Sequence, residues 1–190
     1  RDAADVTLVA VSKTQPADAL RVLAQAGQVA FGENYLQEAL TKQAALADLP
    51  LQWHFIGPIQ SNKTRDIAAR FDWVHSVERL KIAQRLNDQR PAEAPPLSVC
   101  VQVNVSREAS KSGCAPGELA ALAAAIAELP RLRLRGLMAI PAPIAQSADP
   151  AQPYRLLREA FEALRALGLP VDTLSMGMSD DFELAITHGA

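Results

Sequence analysis

Apolar positions along this chain come in short blocks separated by amphipathic stretches. The most continuous block is residues 6–11 (Val-Thr-Leu-Val-Ala-Val), which runs directly into Ser12, Lys13 and Thr14. A run so rich in Val and Leu predicts a strand buried on both faces, as in a parallel sheet. Further strand patterns fall at 29–31, 52–56, 73–75, 98–104, 132–138 and 171–174. Helical periodicity between them predicts helices at about 17–26, 35–46, 63–70, 79–89, 117–128 and 155–167, with a last one from about 180. Gly27, Pro130, Gly168 and Pro170 supply helix stops, while 91–96 and 141–153 read as Pro-rich surface loops.

Strands alternating with helices predict right-handed βαβ units and a parallel sheet. Two α/β architectures compete: an open doubly wound sheet and a (β/α)8 TIM barrel, of which seven units are one short. The barrel is the expectation, because polar segments follow nearly every strand and would share one rim. In a doubly wound sheet they would gather at a single switch point.

Composition narrows the function classes. With 190 residues the chain reads as one domain, 1–190, able to build a sizeable core. Its net charge of -2 gives no electrostatic reason to expect nucleic acid or an anionic membrane as partner. No apolar stretch is long enough to span a bilayer, and the N-terminus lacks a signal-peptide pattern. Cys100 and Cys114 make neither a disulfide framework nor a zinc-site spacing, so a cytoplasmic location is expected.

Lys13 is the first candidate for chemistry. At the mouth of a buried strand, burial would favour the neutral, nucleophilic amine that Schiff-base formation with an aldehyde requires. The bland alternative is a lysine whose head reaches solvent. Asn34 either caps the following helix or contacts a ligand, and His54 is either a satisfied core residue or a pocket residue. Gly57 permits close backbone approach, Ser61 suits a helix cap, and Met138 is core filler or pocket wall. The segment 110–113 (Ser-Lys-Ser-Gly) is a polar loop that could cover a pocket. The segment 175–181 (Ser-Met-Gly-Met-Ser-Asp-Asp) opens the last helix. There Ser175, Gly177, Ser179 and free backbone amides could cradle a phosphate, provided Asp180 and Asp181 point away. Otherwise Ser179 merely caps the helix. An amine and a phosphate cradle on one rim suit pyridoxal 5′-phosphate.

At these same segments the sequence closely resembles the pyridoxal phosphate homeostasis protein family. The resembling stretches are 8–14, 31–38, 53–63, 110–113, 135–141 and 174–180, in the family's order. The resemblance implies a barrel like the N-terminal domain of alanine racemase, with cofactor held as an aldimine on Lys13. It matches Asn34 to a cofactor-pocket asparagine and Ser179 to a phosphate-binding serine, with His54 and Met138 near the cofactor. It also implies a helix before the first strand and an eighth strand after Ala190, so the domain is expected to be incomplete at both ends. The implied role is intracellular cofactor (vitamin B6) homeostasis without established turnover, by a monomer that serves pyridoxal phosphate-dependent apoenzymes as acceptors. A racemase or lyase using the same lysine is the alternative. A Schiff-base aldolase acting on a phosphorylated sugar, without this cofactor, is a weaker one.

Overall fold

All seven strands found among the described residues pair in parallel and in chain order, from β1 to β7. The computed structural model of the chain describes residues 2–106, 112–143 and 148–190. The strands are β1 (Ala10–Val11), β2 (Ala30–Glu33), β3 (Gln52–Phe55), β4 (Trp73–Val77), β5 (Leu97–Gln102), β6 (Leu132–Met138) and β7 (Thr173–Ser175). The intervening helices are α1 (Ala17–Gln25), α2 (Leu36–Ala45), α3 (Thr64–Arg70), α4 (Leu80–Gln89), α5 (Leu119–Ala127) and α6 (Gln152–Ala166), with α7 (Phe182–Thr187) last.

Sequential order removes the doubly wound alternative, which needs a reversal of strand order. Curvature follows from one contact. Strands β4 and β7 are three strand spacings apart, about 14 Å in a flat sheet. Yet His75 on β4 and Ser175 on β7 meet at 2.6 Å. The sheet therefore curls on itself, as a partial TIM barrel, with helices outside.

The core lies between strands and helices. Along α6, Tyr154, Leu157, Phe161 and Leu164 recur at helical spacing and are all buried. On the sheet side, Val99, Val101, Leu134 and Leu137 are buried beneath the helices. Backbone bonds from Gly27 to Ala24 and from Gly168 to Arg165 close α1 and α6 where the stops were expected.

Strand one departs from expectation. It shrinks to two residues, and Leu8 and Val11 are 73% and 50% exposed rather than buried on both faces. The reason is positional: among the described residues β1 pairs only with β2, and β7 only with β6. An apolar run identifies a strand but not which of its edges is covered. A cleft of about 830 Å³ follows the free edge of β7, between Arg155, Phe161, Leu174 and Ile186. It contains none of the candidate site residues. No helix among the described residues is long and apolar enough to cross a membrane.

Candidate functional site

Strand alternation decides which residues face the barrel lumen. The open side of Gly32 meets Val9, Val11 and Ile56, whereas its neighbour Glu33 reaches α2 through Lys42. Even-numbered positions of β2 therefore face the lumen and Glu33 the helix layer. Ser12 also bonds Glu33, at 2.6 Å, which places it on the helix side. Alternation sends Lys13 to the opposite side, continuing the row of Val9 and Val11. Asn34 follows Gly32 on the lumen side, one step beyond the end of β2.

Lys13 itself is exposed, so burial does not supply its nucleophilicity. The strand-mouth argument for a buried amine does not hold among the described residues, where β1 pairs only with β2. What holds Lys13 is its flanks. The Ser12 carbonyl accepts a 2.5 Å bond from Lys42 Nζ, and the Thr14 N–H donates to Glu38 Oε1 at 2.5 Å.

Asn34 does not cap α2. The cap position belongs to Tyr35, which makes no side-chain cap bond. Asn34 Oδ1 is buried yet has no hydrogen-bond partner, an arrangement that costs about 1–3 kcal/mol unless something fills it. The next loop pins Asn34 in place. A Cβ on Gly57 would sit 2.2 Å from the Asn34 carbonyl oxygen, so only glycine allows the two loops to meet. Ser61 does not cap α3 by its side chain either; its carbonyl accepts from Thr64 Oγ1 at 2.9 Å and from Arg85 Nε at 3.0 Å.

His54 pairs in register with Gly32 and so lies one residue pair below Asn34. It is a satisfied core histidine: Nε2 is 3.0 Å from Gln52 Oε1 and Nδ1 is 2.8 Å from His75 Nε2. With the Gln52 carbonyl oxygen accepting, His54 Nε2 carries the hydrogen and His75 Nε2–H donates to His54 Nδ1. His75 Nδ1 then accepts from the Ser175 hydroxyl at 2.6 Å. Burial pushes His54 down to about 4, and burial plus its neighbour His54 pushes His75 down to about 3. Both rings are neutral at physiological pH. The hydroxyl hydrogen of Ser175 is thus committed to His75, which leaves it an acceptor toward the lumen. Met138 ends β6 opposite Ser175 in register and is buried.

The turn after β7 is held by Gly177 and by Asp181. Gly177 has φ +96, and a Cβ there would meet Ala185 Cβ at 2.8 Å, so the turn admits no other residue without strain. Helix α7 starts two residues later than expected, with Asp181 rather than Ser179 at its cap position. Asp181 is buried, accepting from the Met178 N–H at 2.5 Å and from Tyr154 Oη at 2.6 Å. Its carboxylate therefore points away from the rim. Burial first, then Asp181, raises the Tyr154 hydroxyl far above its ordinary range. Ser179 is exposed, and its hydroxyl makes no bond among the described residues. Ser110 and Lys111 of the polar loop lie outside the described residues.

Sequence reasoning missed two groups. One is His75, signalled only by a polar residue inside a buried strand. The other is the Glu33–Lys42–Glu38 cluster, signalled by a carboxylate in an apolar strand and by a Glu–Lys pair at i,i+4 on α2.

Three comparisons bear on this geometry. The family model for the N-terminal domain of alanine racemase matches residues 1–190. A protein of Pseudomonas aeruginosa named pyridoxal phosphate homeostasis protein is 67% identical over 190 residues, covering 100% of this chain and 81% of that protein. One of the same name from Escherichia coli is 54% identical over 193 residues, covering 100% and 82%. The solved structure of PipY from Synechococcus elongatus with PLP bound superposes with a TM-score of 0.88 at 39% identity, covering 98% of this chain and 88% of that one. Alanine racemase from Corynebacterium glutamicum shares the fold, with a TM-score of 0.72 at 18% identity, covering 94% and 51%.

Proposed function

Because the chain belongs to the pyridoxal phosphate homeostasis protein family, within the alanine racemase N-terminal-domain fold, we propose that it binds pyridoxal 5′-phosphate and serves intracellular balance of that cofactor. The single observation that carries this reading is the buried, partnerless oxygen of Asn34, set on the lumen side of the rim beside the strand that leads to Lys13. Such an atom marks a place where a polar ligand is expected. The residues present fit the group. Lys13 supplies the amine, Asn34 a polar contact, Met138 an apolar wall, and Ser179 with the amides around Gly177 the donors for a phosphate. His54 and Ser175 support the floor beneath them rather than offering free donors. Held there by Asn34, Met138 and Ser179, the cofactor would supply an aldehyde, and Lys13 would supply the amine for it.

A binding role fits better than turnover of amino acids. Racemisation needs a second acid/base group across the ring, and Tyr154 is buried with its hydroxyl tied to Asp181. Our reading further takes 1–190 as one cofactor-binding domain, acting in the cytoplasm as a monomer that passes cofactor to apoenzymes. The test is an absorption spectrum with pyridoxal 5′-phosphate, before and after borohydride, beside Lys13→Ala. The expected result is a visible band that borohydride fixes to the protein and that Lys13→Ala loses. Steady racemisation of alanine or serine, abolished by Lys13→Ala, would sink the carrier reading in favour of an enzyme.

A further inference from the structure

The Glu33–Lys42–Glu38 cluster is the largest buried investment of charge among the described residues, and nothing above uses it. Glu33 and Lys42 are both buried and form an ion pair at 2.7 Å. Removing two charges from water is costly, and apolar replacements of such pairs are often as stable. The pair is thus poorly explained by stability alone. All three hydrogens of the Lys42 ammonium are directed: to Glu33 Oε1 at 2.7 Å, to Glu38 Oε1 at 2.5 Å and to the Ser12 carbonyl at 2.5 Å. Glu33 Oε1 also accepts from the Ser12 hydroxyl at 2.6 Å, and Glu38 Oε1 from the Thr14 N–H. Every outward bond of the cluster to the chain's first segment therefore ends on the residue just before Lys13 or the residue just after it.

The backbone there is strained. Thr14 has φ 65, the left-handed region, where a β-branched residue is an outlier. Such a conformation costs on the order of 1–3 kcal/mol and persists only where its surroundings over-determine it. The bond from Thr14 N–H to Glu38 is that over-determination. An exposed lysine in a turn, with four rotatable bonds in its own side chain, gains its aim from a fixed backbone on both sides.

We propose that Glu33, Glu38 and Lys42 are positioning residues that clamp Ser12 and Thr14 and so aim the Lys13 amine at the lumen rim for cofactor attachment. The role rests on the cofactor-binding reading above. It acts on the lysine through Ser12 and Thr14 and makes no bond to the turn after β7 among the described residues. It therefore affects a ligand that bears the aldehyde and spares one that does not.

The experiment uses two probes, pyridoxal 5′-phosphate and its alcohol counterpart pyridoxine 5′-phosphate, on the wild-type chain, Lys42→Met and Glu38→Ala. Stopped-flow absorption gives the attachment rate of the first, and calorimetry the affinity of the second. Misaiming a reacting group by an ångström costs up to about 100-fold in rate, so Lys42→Met is expected to slow attachment at least ~10-fold. Glu38→Ala, which frees the Thr14 N–H but leaves the buried pair, is expected to slow it several-fold and carries the test if Lys42→Met does not fold. Affinity for pyridoxine 5′-phosphate stays within about 2-fold in both. Equal losses for both ligands, or unchanged attachment in a folded variant, overturn the positioning role. A wild-type chain that takes up neither ligand overturns the functional reading itself, and the positioning role with it.

Discussion

At the scale of single residues, the pair His54 and His75 makes stability depend on pH. Their folded values, about 4 and about 3, lie below the 6.5 of a free histidine because burial disfavours the charged ring. The unfolded chain therefore binds more protons than the folded one between those values, and stability rises with pH across that window. The contribution is complete above pH 6.5 and is lost progressively as pH falls toward 4 and 3. At about 1.4 kcal/mol per pH unit per group, the loss between pH 6.5 and 4 is on the order of 3 kcal/mol for each ring. Thermal melts of the wild type and His75→Gln across that range test it. The variant should show a shallower slope, and identical slopes would mean that the buried pair does not set the response. Protonating His75 turns its bond with Ser175 around, and protonating His54 turns the bond between the two rings around as well, while the bond from His54 to Gln52 keeps its direction, so acid disturbs the floor of the site.

At the scale of elements, two glycines decide whether neighbouring loops can meet. Gly57 lets the loop after β3 rest on Asn34, and Gly177 lets the loop after β7 fold onto α7. Gly57→Ala should destabilise by about 1–3 kcal/mol in urea unfolding, through overpacking against backbone that cannot give. It should also weaken cofactor binding, because the displaced atoms belong to Asn34. Gly177→Ala should cost a similar ~1–3 kcal/mol from φ strain, with phosphate-bearing ligands weakened more than phosphate-free pyridoxal. A stability change within ~0.5 kcal/mol for either, the range of ordinary surface substitutions, would show that the loop relaxes freely. The helices were legible from apolar spacing to within about two residues, as α4 and α5 show, apart from α6, which starts three residues earlier than expected. Start positions were less so. The cap of α7 moved from Ser179 to Asp181 because Tyr154, far away in sequence, holds that carboxylate.

At the scale of the whole molecule, the curled sheet has a protected middle and, among the described residues, two strands paired on one side only. β4, β5 and β6 are each paired on both sides, whereas β1 and β7 are paired on one among the described residues. Opening free energies follow buried contact and bonded backbone. Hydrogen exchange should therefore be slowest at Val99, Cys100 and Val101 and fastest, among strand amides, in β1. Protection in β1 equal to that in β5 would contradict an edge position. Lys13 lies in the turn just after β1, which is where a clamp from α2 matters most.

From the sequence alone came the alternation of strands and helices, the common rim and the candidates on it, because periodicity and turn residues are local properties. Lys13, Asn34 and the turn around Gly177 were visible as candidates because they stand out of place in an apolar pattern. Tertiary structure alone decided the rest. It left the first strand at an edge, exposing Leu8 and Val11 that the pattern would bury. It turned Asn34 from a helix cap into a buried oxygen without a partner, and joined His54 to His75 and Ser175 across the lumen. It also set Lys42 and Glu38 against Ser12 and Thr14, about thirty residues away in the chain for the lysine. Burial and hydrogen-bond partners depend on which edges and faces meet, and a linear pattern carries the period of a face but not what it faces.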